Sequence, residues 1–168
     1  MNKNTETKQF NNKSLLIKAA FVAILVAFLV FIISGASAKD VDLAVVNKNL
    51  KSSTDITKLM EKASARDLKQ FIGIDAHDYN QVIYYRNITA LAVDELLIVK
   101  AEESSQLSSV EGAVNERISS QIKTYESYGP EQVKLLKNAI QLKKGNYYFY
   151  CTADKADEYE EVLLNAVQ

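Results

Sequence analysis

The side chains able to do chemistry in this chain are few and scattered. It has a single histidine, His77, and a single cysteine, Cys151. Asp75, His77 and Asp78 lie within four residues of one another, and Asp and His side chains are metal ligands. A loop can bend three such groups toward one point, whereas a helix would not place all three on one side. A zinc site would need a fourth group, and the sequence names none. The plainer reading is a polar turn before a strand, with Asp78 as a local turn former. No metal and no cofactor are expected.

Cys151 and His77 could in principle act as nucleophile and base. An exported chain with one Cys and one His suggests comparison with sortases. That class has a TLxTC-type strand and an arginine shortly after the cysteine. Here the strand reads Tyr150-Cys151-Thr152 and no arginine follows. A small buried apolar residue beside Phe149 is the simpler role for Cys151. No catalytic residue is expected, and the chain is read as a non-enzyme.

Asp94 and Glu95 form an adjacent acidic pair before an apolar stretch. Neighbours on a strand point to opposite faces, so the two cannot easily serve one substrate as acid and base. A strand-entry cap, or a charge partner for a Lys or Arg on a neighbouring element, fits better. The pair is the first candidate for a structural or partner-binding point. The nine tyrosines are the other suggestive feature, since Tyr suits both half-buried sheet faces and recognition surfaces. If strand 146–152 pairs beside strand 81–86, Tyr84 or Tyr85 lies near Tyr148 or Tyr150. Such a patch could stack on sugar rings or peptide. The alternative is a Tyr-rich core face with hydroxyls at its rim.

The elements that must position these residues follow from periodicity. Asp40 can cap a helix carrying Leu43, Val46 and Leu50. Ser53 or Thr54 can restart one with Ile56, Leu59 and Met60. Ser64 can cap another with Leu68, Phe71 and Ile72, ended by Gly73. Gln81–Arg86 and Glu95–Ala101 read as strands. Ser108–Tyr125 is the clearest helix, with Val110, Val114, Ile118, Ile122 and Tyr125 in one stripe. Glu116, Arg117, Ser120 and Lys123 are expected to face water. Tyr128-Gly129-Pro130-Glu131 reads as a stop and a start, with Gly129 left-handed and Pro130 in the first turn of the next helix. A hairpin turns at Lys144-Gly145. Its second strand is aromatic on both faces, which suits a strand covered on both sides. Asp154 can cap a last helix carrying Tyr159, Leu163 and Val167.

The expected class is α+β. An N-terminal transmembrane helix and a helical neck precede β-β-α-α-β-β-α, an antiparallel sheet of about four strands with helices on one face. Five Gly and one Pro in 168 residues argue against a loop-rich or all-β chain.

Charge is uneven although its sum is −1. Residues 1–18 hold four lysines and one glutamate, net +3, and the remainder carries an acidic excess of four. A mildly acidic domain is a poor partner for nucleic acid. From Ala19 to Ala38 there are 20 residues without a charge, about 30 Å of helix, which matches a bilayer core. The lysines before the run put the N-terminus in the cytoplasm and the rest of the chain outside. Ala36-Ser37-Ala38 also has the form of a signal peptidase site. Cleavage there would secrete the domain. The expected organisation is a basic cytoplasmic tail (1–18), a transmembrane anchor or signal (19–38), a neck (39–74) and an extracytoplasmic domain (75–168).

From Asp75 onward the chain resembles a bacterial domain-of-unknown-function family, number four-three-five-eight. The resemblance is carried by Val93-Asp94-Glu95-Leu96, the segment 115–121 (NERISSQ), Tyr128-Gly129-Pro130-Glu131, Lys137-Asn138-Ala139 and Lys144-Gly145-Asn146-Tyr147. It implies a small exported protein with an N-terminal anchor or lipid, and it transfers no catalytic residue. The expected function is a non-enzymatic interaction or accessory module at the cell surface, held by the bilayer and meeting a surface-protein or cell-wall partner. The alternatives are a glycan- or peptide-binding domain using the Tyr face, and an anchored cysteine-dependent enzyme.

Overall fold

The computed structural model describes residues 17–28, 38–87, 89 and 91–168. Two compact units are present, Met1–Ser37 and Ala38–Gln168. In the first, residues 17–28 are helical (α1), with Ile17, Phe21, Ile24 and Phe28 exposed. Residues 29–37, the second half of the expected membrane segment and most of the Ala36-Ser37-Ala38 site, lie outside the described residues. Among the described residues no helix is long and apolar enough to cross a membrane.

The second unit is α+β. Its elements are α2 (Leu43–Ser53), α3 (Ile56–Leu59), β1 (Glu61–Lys62), α4 (Ala65–Phe71), β2 (Gln81–Arg86) and β3 (Glu95–Lys100). They continue with α5 (Leu107–Tyr125), α6 (Pro130–Lys137), β4 (Ile140–Lys144), β5 (Tyr147–Thr152) and α7 (Ala156–Val167). The β-β-α-α-β-β-α order after the first helices is the expected one. The sheet has five strands rather than about four, in the order β1-β2-β3-β5-β4, because the two-residue β1 adds an edge. Every pairing is antiparallel.

Several local signals act as expected. Ser64 and Asp67 form a capping box at the start of α4, which satisfies two orphan N–H groups. Gly73 and Gly145 take φ of 87° and 57°, and only glycine does so without strain. Other starts differ. Asp42, not Asp40, caps α2, accepting from Ala44 N. The α5 helix grows out of a 3-10 turn at Ser104–Gln106, whose capping box is Glu103 with Gln106 rather than Ser108 with Glu111. Lys155, not Asp154, occupies the N-cap of α7. Gly129 has φ −125° and is not left-handed.

Helices cover both faces of the sheet, not one. On one face Ile83, Tyr85, Leu96, Ile98, Tyr147, Phe149 and Cys151 pack under α2 and α7, which bring Leu43, Val46, Leu50, Tyr159, Leu163 and Val167. On the other, Tyr84, Leu97, Val99, Tyr148 and Tyr150 pack under α4 and α5, which bring Leu68, Val110 and Val114. The segment expected to be a neck is therefore helical but is part of the fold, because Leu43, Val46 and Leu50 are core residues. Double coverage is why all six residues of β3 and of β5 are buried. Each large apolar side chain so enclosed contributes about 1.5–3 kcal/mol.

Candidate functional site

The most polar point of this interior is Glu95, the first residue of β3, with only 3% of its surface exposed. Its side chain shares the α5 face with Leu97 and Val99, because alternate strand residues point the same way. The facing surface of α5 carries Val110 and Val114, and Arg117 follows Val114 by three residues. That spacing keeps Arg117 on the buried stripe. Its side chain is 19% exposed and reaches Glu95, so it does not face water as expected.

The two groups meet in a fork. Arg117 Nη2 donates to Glu95 Oε1 at 2.6 Å and Nε to Oε2 at 3.3 Å. Tyr84 Oη donates to Oε1 at 3.1 Å and Tyr150 Oη to Oε2 at 3.4 Å. One carboxylate thus ties together β2, β3, β5 and α5. Phe71 flanks the group, with the Arg86 guanidinium carbon 4.0 Å and that of Arg117 5.3 Å from its ring centre. Both are cation–π distances.

Electrostatics hold both tyrosine hydroxyls and the Arg117 guanidinium in their protonated forms. Burial pushes the Tyr84 and Tyr150 hydroxyls well above the usual range, and the Glu95 charge adds to it. Burial works against the Arg117 charge, but the hydrogen bonds and charge of Glu95 outweigh it and raise its pKa. Glu95 has both oxygens engaged by four donors. Such a set of charge-assisted hydrogen bonds fixes the arrangement of the elements that carry them.

Asp94 goes the other way. It stands just outside β3, half-buried, 3.4 Å from Asn87 Nδ2, and its backbone carbonyl accepts from Asn87 N at 2.9 Å. Burial raises its carboxyl pKa. The acidic pair thus divides between the core and the β2–β3 loop.

The four singled-out tyrosines do not form one surface patch. β5 pairs with β3, which separates it from β2, so Leu97 stands between Tyr84 and Tyr150. Tyr84 and Tyr150 meet at Glu95, Tyr148 donates to Gln141 on β4, and Tyr85 faces the opposite layer and donates to Asn47. All four rings are at most 3% exposed, because the sheet is covered on both sides. A cavity of about 160 Å³ beside Tyr84 is lined by Leu68, Ala76 and Val82. It falls below the roughly 300 Å³ at which small-molecule sites begin.

The remaining candidates stay apart. Asp75 accepts from Lys69 Nζ at 2.9 Å and from His77 N at 3.1 Å, with His77 Nδ1 at 2.8 Å. Lys69 and His77 together hold the Asp75 carboxyl far below the usual range. His77 itself is 89% exposed. Among the described residues no group of three or more His, Cys, Asp or Glu side chains could hold a metal ion. Cys151 is enclosed on the α2 and α7 face beside Phe149. Burial pushes its thiol up, and the Asp94 charge adds to it. Buried Cys151 and exposed His77 do not form a pair.

Sequence reasoning missed Arg117 and the role of Phe71. The signal for Arg117 was its place in the stripe, which its charge outweighed in the reading.

No curated protein and no solved structure matches the chain. One family model matches residues 52–153, from the end of α2 to the residue after β5. That stretch contains all five strands and the Glu95–Arg117 pair, and by this match the chain belongs to the family described as Domain of unknown function (DUF4358).

Proposed function

We propose that this protein is a single-pass, membrane-anchored accessory module whose Ala38–Gln168 unit works outside the cell by contact rather than by catalysis. The observation that carries it is the 20-residue uncharged run at 19–38 with four lysines before it. A helix apolar on all sides suits lipid, and basic residues before it set the orientation. The exposed apolar side chains of residues 17–28 agree with a lipid setting. The non-catalytic part is supported by the saturated state of Glu95 and by the separation of Cys151 from His77.

Fractionation of cells making the full chain with a C-terminal epitope tests the reading. The chain is expected in the membrane fraction, to resist carbonate, to leave with detergent, and to lose its epitope to protease added outside. A soluble cytoplasmic chain would overturn the anchor. Hydrolysis of cell-wall or peptide substrates that disappears on Cys151→Ala or His77→Ala would overturn the non-catalytic part.

A further inference from the structure

The fold begins at Ala38, the last residue of the uncharged run, and its first residues are bound by it. Ala38 and Val41 pack against the α2 and α7 core. Lys39 N donates to Val167 O at 2.9 Å, at the end of α7. Val41 N donates to Tyr147 Oη at 2.7 Å, and that hydroxyl lies 3.0 Å from Val41 O and 3.2 Å from Lys39 O. Lys100 Nζ donates to Val41 O at 3.0 Å and pairs with Asp40 at 2.6 Å. Leu43 N donates to Gln81 Oε1 at 2.8 Å. Tyr147 and Lys100 are both buried.

From this we infer that residues 38–43 form a latch, closed by Tyr147 and Lys100, that shields the Ala38–Lys39 peptide bond and so keeps the folded domain on its anchor. The inference rests on the anchored reading above. Hydrolysis of that bond by water leaves a carboxylate on Ala38 and an amino group on Lys39. A peptidase binds its substrate as an extended strand through main-chain hydrogen bonds on both sides of the bond. Here the main-chain groups it needs after the bond are held by Val167, Tyr147 and Lys100. Cutting then requires the segment to open, and its rate follows the population of the open form. Removal of the anchor is confined to chains whose domain has not folded or whose latch is broken.

The test expresses the full chain in a bacterial host with its signal peptidase and reads the N-terminus and the membrane-bound share. Three forms are compared: the natural chain, the latch variant Lys100→Met with Tyr147→Phe, and Leu97→Asp, whose charged β3 core residue prevents folding. Circular dichroism on the latch variant confirms that its sheet and helices persist. The natural chain is expected intact in the membrane. Leu97→Asp is expected to start at Lys39, and the latch variant is expected to show that start at about tenfold or more the natural level, in proportion to its opening. An intact Leu97→Asp chain would mean that the bond is no substrate and would overturn the latch while leaving the anchor standing. A folded, uncut latch variant beside a cut Leu97→Asp would overturn it as well. A natural chain released with Lys39 first would overturn latch and anchor together, and an uncut chain absent from the membrane would overturn the anchor.

Discussion

Arg117 on α5 holds both carboxylate oxygens of Glu95 at the start of β3, Nη2 at 2.6 Å and Nε at 3.3 Å. The pair joins the 19-residue α5 to the central strand across a layer otherwise made of apolar and Tyr side chains. Taking two charges out of water is costly, and their attraction repays it only with good geometry and further hydrogen bonds. Tyr84 and Tyr150 supply those bonds. The pair therefore specifies where α5 lies on the sheet more than it adds to net stability.

Removing one partner should be worse than removing both. Arg117→Met leaves the Glu95 charge buried with two tyrosines only, and should cost about 3–5 kcal/mol. Glu95→Leu with Arg117→Met should recover part of that loss, the remainder being the buried Tyr84 and Tyr150 hydroxyls left without their acceptor. Urea unfolding followed by circular dichroism checks it. Equal losses in the single and double variants would show that the pair is not coupled.

Asp94 gives a pH dependence of definite sign. Its folded pKa is raised above 3.8 by burial. The folded state then binds more protons than the unfolded state between the two pKa values, so stability falls as pH rises through that window and the loss persists at neutral pH. Asp94→Asn should therefore raise Tm at pH 7, and the gain should shrink as pH falls through the raised pKa and toward 3.8. A gain independent of pH would remove burial of the charge as its cause.

Cys151 should be inert in the native protein. It is fully enclosed, and its thiol is held protonated chiefly by burial, while reactivity needs an accessible thiolate. A chromogenic disulfide reagent at pH 8 should find no thiol in the folded chain and one per chain in denaturant. Cys151→Ser should cost about 1–3 kcal/mol, because a buried hydroxyl would lack a partner.

Much of the architecture was legible locally. The alternation of Tyr147 to Cys151 announces a strand covered on both faces, and the stripe from Val110 to Tyr125 announces a helix. What covers those faces was not legible. Leu43, Val46 and Leu50 mark a helix with one apolar side, but nothing in their neighbourhood says that the side meets Tyr85 and Phe149 rather than standing apart as a neck. β1 has two residues and no period to read. The strand order was also hidden, because it depends on which edges meet at long range, so Tyr84 and Tyr150 came together through Glu95 and not as neighbours in a surface patch. Arg117 was misplaced for an energetic reason. A charge on an apolar stripe reads as exposed until its partner across the interface is known.

Two glycines separate space from conformation, and their alanine variants should differ in sign. Gly129 has an ordinary negative φ, so its need for glycine is not conformational. A Cβ there would lie 2.8 Å from Tyr125 Cδ1, 2.8 Å from Gln132 Oε1 and 3.1 Å from Tyr125 Cβ. The Gln132 amide can turn away, but Tyr125 is itself packed with Val93 and Leu136. Gly129→Ala should therefore push the α5–α6 turn apart and cost about 1–3 kcal/mol. Gly112 is exposed within α5, and an added Cβ meets nothing within 4 Å. Gly112→Ala should stabilise by up to about 1 kcal/mol through helix propensity alone. Thermal unfolding of the two variants side by side decides it, and a stabilising Gly129→Ala would mean that Tyr125 yields more readily than its packing implies.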